Sequence, residues 1–414
     1  MLTWPAIDPA VKIGPASPAA SVQAAAGPDR KLPSAALAEP ARDPDYRSLW
    51  DASTDVESVQ IDEGVIEVDL VGPADHFLIP DNYQEDRQDV IAHRTSPTNI
   101  GLQLLAMLAA RDLGYLSYAG VLDRLEPTFD TLLRMPRYRG HFYNWYDTQT
   151  LVPLVPAYIS TVDSGNLAGY LLTLRSGLAS LAESAPLIDG TVLEGLEDAI
   201  DLFAAEVDGL KQGRATSGLE RELGGLRTQL ARRPVTLLEW RRLLAELEER
   251  LQAVSILFHD LEEPLLEYVG EQVAGSSTEA LPVALAEASA WLERAAAVLA
   301  TRQLELERLT GWMTRLQAAG MREIPAEVPS LNGLIPLCDR ALNELGERPA
   351  SGEARTAIEQ ARGLAEELIE RAERLGALAD DLVEETEFGF LFNSERQLFS
   401  IGFSVTDGRL DNSY

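Results

Sequence analysis

Cysteine is almost missing from this chain. Cys338 is the only one in 414 residues, so no disulfide can close within it and no cysteine-rich metal site can be built. Histidine is scarce as well: His76, His93, His141 and His259 stand far apart, with no HExxH-type spacing, and neither a metal nor a cofactor is expected. Basic side chains are outnumbered, 35 against 66 acidic ones, for a formal charge of −31. Such a balance disfavours nucleic acid and anionic membrane surfaces as partners, because both repel it. It suits an uncharged ligand, and it serves solubility equally well. No run approaches the roughly 18 apolar residues of a membrane helix, and the N-terminus lacks a basic-then-apolar leader pattern. The chain therefore reads as soluble, non-exported and cytoplasmic.

What is present divides into four stretches. Residues 1–45 are rich in Ala and Pro with little patterned apolar content, and such a segment is expected to be disordered. Residues 46–186 begin with an alternation, Val56 to Leu70, that predicts one or two short strands. Helices start at Ser96-Pro97, a good N-cap followed by a proline with no N–H to waste. The helix TNIGLQLLAMLAARDLG is apolar nearly all round and ends at Gly114. A second helix is expected from about Tyr118 to Met135, broken or kinked near Pro127. An aromatic, non-helical stretch follows, and then a third helix that Asp163 and Ser164 are expected to cap.

Residues 187–385 lose their aromatics and gain Leu, Ala, Glu and Arg. Three seams keep a 3-4 apolar spacing: Leu237 to Phe258, Leu285 to Leu316 with Arg302 interrupting, and Ile358 to Leu382. Spacing sustained over that length predicts long helices packed in antiparallel, coiled-coil fashion, that is, a helical insert. Residues 386–414 return to alternation, predicting a strand pair or extended loop.

Sugars are held by flat aromatic rings against their C–H faces and by planar polar groups on their hydroxyls. His141-Phe142-Tyr143-Asn144-Trp145-Tyr146-Asp147 offers both within seven residues, outside a helix; a packed aromatic loop is the alternative. Asp163-Ser164-Gly165-Asn166 is a second cluster, with ordinary helix capping as its alternative. Asp81-Asn82-Tyr83-Gln84-Glu85 forms a polar loop near His93-Arg94, where Arg94 can pair with a carboxylate. Asn393-Ser394-Glu395-Arg396-Gln397 reads as a turn. Glycoside chemistry normally takes two carboxylates. No spacing selects a pair here, and Asp147 and Asp163 are the best placed candidates.

The segments IPDNYQED, IAHRTSPTNIGLQLLAMLAARDLGY, RYRGHFYNWYDTQTLVPL, ISTVDSGNLAGYL and FLFNSERQLFSIGF resemble the cyclic β-1,2-glucan synthase family, at the start of its glucoamylase-like domain. The resemblance covers roughly residues 75–170 and 385–414, and it implies a mainly α chain built as an incomplete (α/α)6 barrel around the helical insert. It implies a β-1,2-glucan oligosaccharide as ligand, processed by transglycosylation, cyclisation or hydrolysis. In the parent enzymes a region embedded in the bacterial inner membrane builds the glucan from UDP-glucose. Carried over by position, His141, Tyr143, Asn144, Trp145, Asp147, Asp163, Asn166, Arg396 and Gln397 would meet the glucan, with Arg94, Thr98 and Asn99 in support. The chain shows no glycosyltransferase motif and stops before the stretch in which the family carries a catalytic glutamate. It is thus expected to be a truncated piece, inactive alone. A non-enzymatic helical scaffold, or half of a split enzyme completed by the remainder of the parent, are the alternatives.

Overall fold

A computed structural model describes residues 71–84, 90–210, 217–271, 280–318, 327–346 and 352–413. The expected disorder of residues 1–45, the strands expected between Val56 and Leu70, and Glu85 lie outside them. The described chain is mainly helical, with short strands gathered before the third helix and after the last.

A 3-10 turn, Pro73–Asp75, leads into β1 (Tyr83–Gln84), β2 (Val90–Ile91) and β3 (Arg94–Thr95). Helix α1 (Pro97–Asp112) starts as expected: the Ser96 hydroxyl accepts the Asn99 N–H, and Pro97 opens the first turn. Gly114 closes it at φ +87°, and a Cβ there would lie 2.0 Å from the Thr191 carbonyl oxygen, so the next helices approach the turn closely. Helix α2 (Tyr118–Arg134) runs through Pro127 without breaking. The proline removes one rung of the ladder, but Leu125, Phe129 and Leu132 on either side are fully buried and anchor both halves in the core.

Strands β4 (Arg137–Tyr138), β5 (His141–Phe142), β6 (Tyr146–Asp147) and β7 (Tyr158–Ser160) follow. Helix α3 (Thr161–Glu183) corrects the expected cap. Ser160 is the N-cap and accepts the Asp163 N–H, so Asp163 and Ser164 sit inside the first turn with their side chains free for other partners.

The remaining helices are α4 (Thr191–Leu210), α5 (Ser217–Leu230), α6 (Leu237–Glu271), α7 (Ala280–Ala318), α8 (Leu331–Leu345) and α9 (Gly352–Glu384). The three seams read from the sequence are buried along their length, from Leu237 to Phe258, Leu285 to Leu316 and Ile358 to Leu382. Helix α4 packs along α7, α5 along α6, and α9 against α2, α3, α7 and α8. One hydrophobic core therefore runs from Leu78 through the strand-bearing part to Leu382, across the position where the helical insert was expected to begin. Arg371 of α9 is bonded to Asp123 and Glu126 of α2 at 2.6 and 2.8 Å. Arg302, which interrupts the second seam, is fully buried and donates to the carbonyls of Gly114 and Leu116.

The last residues form β8 (Phe392–Asn393), β9 (Leu398–Phe399), β10 (Gly402–Ser404) and β11 (Arg409–Leu410). Strand β10 lies between β11 and β7, with Gly402 opposite Ser160 and Ser404 opposite Tyr158. The tail thus returns to the strands that precede α3.

Candidate functional site

The loop before α1 is stitched to the helices by buried polar groups. Gln103 accepts the Ile79 N–H at 2.8 Å and donates to the Phe77 carbonyl at 2.8 Å, while Thr131 donates to the His76 carbonyl at 2.7 Å. These bonds hold His76 and Phe77 at φ 56° and 59°, a conformation L-residues seldom adopt unaided. Asp75, buried beneath, meets His93 Nδ1 at 2.8 Å and the Thr148 hydroxyl. His93 and Thr148 are joined again through backbone, Thr148 N–H to the His93 carbonyl.

That loop delivers Asp81 to β3. Its Oδ2 accepts from Arg94 Nε and NH2 at 3.0 and 2.7 Å, and its Oδ1 accepts from the Asn99 amide at 3.3 Å. The Arg94 guanidinium lies 5.0 Å from the centre of the Trp145 ring. On the next turn of chain the first turn of α3 faces the first turn of α1. Thr98 donates to Asp163 Oδ1 at 2.6 Å, and the Asn166 amide donates to Thr98 at 3.2 Å. With the Asn144 amide nitrogen turned toward Asp163, it donates to Oδ2 at 3.0 Å, and its oxygen accepts Trp145 Nε1 at 3.2 Å. Arg94, Thr98, Asn99, Asn144, Trp145, Asp163 and Asn166 are therefore one connected set, assembled from β3, α1, the β5–β6 loop and α3.

The other expected residues have different surroundings. Asp147 pairs with Arg94 across β3 and β6, but its carboxylate turns to its own loop, accepting the N–H groups of Gln149 and Thr150 and the Thr150 hydroxyl. That hydroxyl, with the two N–H groups, holds the Asp147 carboxyl below its usual range. Tyr143 packs edge-to-face on buried Tyr146, whose hydroxyl accepts the Tyr143 N–H and donates to the Pro136 carbonyl. His141 is buried: Nδ1 is 2.8 Å from the Ser164 hydroxyl, and the ring meets Phe388 and Phe390 edge-on at 5.0 and 5.3 Å. Burial pushes its pKa down, with the Glu387 backbone and charge opposing. Arg396 and Gln397 occupy the exposed turn between β8 and β9, where Asn393 accepts the Arg396 N–H and the Gln397 amide donates to the Ser394 carbonyl.

Asp75, Gln103 and Thr148, and the tail aromatics, were not among the residues the sequence singled out for the site. Phe403 stacks on Tyr138 at 5.6 Å, and Phe390 meets both of these rings. The density of aromatics in FGFLFNSERQLFSIGF was a visible signal; its partner strand lay too far away in sequence to be named. Gly140, at φ +81°, is where the tail locks on, since a Cβ would come within 1.9 Å of the Glu385 carbonyl oxygen. A separate cleft of about 460 Å³ lies between α6 and α7, beside Glu248, Phe258, His259, Glu293 and Gln303, and shares no residue with the connected set. Among the described residues no three His, Cys, Asp or Glu gather as for a metal ion, and no helix is long and apolar enough to cross a membrane.

No protein-family model matches the chain. Cyclic beta-(1,2)-glucan synthase NdvB of Rhizobium meliloti (strain 1021) is 30% identical over 338 residues, which are 82% of this chain and 10% of that protein. The chain thus spans about a tenth of the length of the curated relative it matches. A crystal structure from Bacteroides fragilis NCTC 9343, assigned as a glucoamylase, overlaps 33% of this chain and 32% of its own at 19% identity. Its TM-score of 0.26 is too low to carry an argument.

Proposed function

Over its matched residues the chain belongs to the cyclic β-1,2-glucan synthase family, and on that premise we propose that it binds a β-1,2-glucan chain for transglycosylation, cyclisation or hydrolysis. The observation that carries this reading is the connected set around Trp145. The edge of the indole is hydrogen-bonded to Asn144, which joins it through Asp163 to Thr98 and Asn166, so an aromatic ring and planar polar groups belong to one network. That is the pairing by which uncharged sugars are recognised. In the finer reading α1, α2 and α3 are wall helices of an incomplete (α/α)6 barrel, the set lines its cleft, and the parent enzyme works at the bacterial inner membrane.

Catalysis by these residues alone is not part of the proposal. Asp147 is occupied in its own turn, and both oxygens of Asp163 accept hydrogen bonds. The chain by itself is proposed to bind glucan without turning it over. Thermal denaturation with millimolar linear β-1,2-glucan tests the binding, because a ligand taken only by the native state raises its melting temperature. An upward shift that Asp163→Ala and Trp145→Ala abolish is expected. No shift in the wild-type chain rules the reading out, and release of shorter or cyclic products by the isolated chain refutes the binding-only part.

A second reading, that another polypeptide completes the site, is favoured by one feature. Val152, Val155, Val162, Leu398, Phe399 and Ile401 are large apolar side chains left exposed on segments adjoining β7, β9 and β10. Co-expression with the remainder of a parent synthase would yield a stable complex if this holds, and two separately eluting proteins if it does not.

A further inference from the structure

We propose that Arg94 is a positioning residue, clamped by Asp81 over one face of Trp145, so that the indole offers a single open face to one uncharged pyranose ring. The inference rests on the glucan reading and deepens it, by saying how the platform is fixed and how many rings it takes.

Arg94 is held from two directions. Its backbone lies in β3, opposite Asp147 of β6. Its guanidinium places two N–H donors on one oxygen of Asp81, at 3.0 and 2.7 Å. Asp81 is itself fixed, since its other oxygen accepts from Asn99 in the first turn of α1. A carboxylate tied to a helix start leaves the guanidinium little freedom, and its carbon sits 5.0 Å from the Trp145 ring centre, within the range of a cation–π contact.

Trp145 is therefore constrained at two places that do not overlap. The edge is fixed through Nε1 to Asn144, and through Asn144 to Asp163. One face is covered by Arg94. Trp145 is half-buried, which leaves part of the side chain accessible to a ligand. A side chain held in this way loses little freedom when a sugar stacks on it, and preorganisation of that kind raises affinity without any new contact. A planar guanidinium can lie flat on an indole and make paired bonds to a carboxylate at once, whereas a lysine ammonium can do only one of these. Asp81 also neutralises Arg94, so the clamp adds no net charge beside an uncharged ligand.

The test uses the full chain and four forms: wild type, Trp145→Ala, Arg94→Met and Arg94→Lys. Affinity for a linear β-1,2-linked glucose hexasaccharide is measured by calorimetry. The six indole N–H resonances are followed by 15N NMR without ligand, with Trp145→Ala identifying the relevant one. Arg94→Met is expected to weaken binding about fivefold, to broaden the Trp145 resonance and to speed its hydrogen exchange. Arg94→Lys is expected to restore neither. An Arg94→Met form with wild-type affinity and an unchanged Trp145 resonance overturns the proposal. So does lost affinity with an unchanged resonance, which would mean that Arg94 touches the sugar itself. If the wild-type chain binds no hexasaccharide, the glucan reading falls separately. The Trp145 resonance then decides the clamp: unchanged in Arg94→Met it is overturned, broadened it is sustained.

Discussion

Two regions of this molecule reach burial by different chemistry. From Thr191 to Glu384 the buried side chains are nearly all leucine, alanine, valine, isoleucine and phenylalanine, with Arg302 and Glu305 among the few exceptions. In and around the strands Asp75, Thr95, Gln103, Thr128, His141, Thr148 and Ser164 are buried as well. The helices satisfy their own backbone, so their seams need only volume and pattern. The loops and two-residue strands do not, so their free N–H and carbonyl groups must be met by side chains. The helical region should therefore tolerate changes of shape that keep volume, and the strand region should punish loss of a single polar atom.

The largest effect belongs to the helical side. Phe203 is fully buried and meets Phe258 edge-on at 5.2 Å. Phe203→Ala should cost about 3–5 kcal/mol in urea denaturation, with glucan affinity of the folded fraction unchanged. A parallel loss of affinity would join the two regions and break the contrast. Next comes Gln103→Leu, which keeps the approximate size, leaves the Ile79 N–H without its acceptor and takes one of two donors from the Phe77 carbonyl, which keeps the Thr128 hydroxyl. We expect about 2–3 kcal/mol of destabilisation, here accompanied by weaker glucan binding, because the loop carrying Asp81 comes loose.

A third, smaller effect is one of pH. Burial holds the His141 pKa below its usual value of about 6.5. As pH falls below that value the unfolded chain takes up the proton first, so the contribution is complete above about pH 6.5 and declines toward the folded pKa. The melting temperature should drop between pH 7 and 5, and His141→Phe should flatten the drop; equal slopes in the two proteins would remove His141 from the account. The smallest expected effect is that of Thr150→Val. The Asp147 carboxyl should move back toward its ordinary range in an NMR titration, while stability changes by no more than about 0.5 kcal/mol.

Legibility in the sequence followed the same division. The seams of α6, α7 and α9 were readable residue by residue, because a 3-4 spacing is a local signal that survives whatever the helices pack against. The start of α1 was equally plain in Ser96-Pro97. The start of α3 was misplaced by three to four residues, because Ser160, Asp163 and Ser164 are all competent caps and spacing alone does not say which one sits at the turn. In the site, the segment 141–147 and the cluster 163–166 stood out by composition. That Asn144 joins them, while Asp147 turns away, depends on side-chain directions no spacing encodes. Of the break or kink expected at Pro127, the break does not occur, since the helix is continuous and its neighbours are buried.

The pairing of β7 with β10 also bears on how the chain is made. Thr161 donates to the Ser400 carbonyl 239 residues farther on, and its own N–H bonds the Ile401 carbonyl. During synthesis, then, the strand leading into Asp163 waits with an open edge while every helix from α3 to α9 emerges. Closing so long a loop is slow, and an unpaired edge invites association with other nascent chains in the interval. The helices between can form on their own local signals meanwhile. The end of the fold that carries Asp163 is thus secured only after every helix from α3 to α9 has emerged, and shielding β7 in that interval is where the folding yield would be most easily changed.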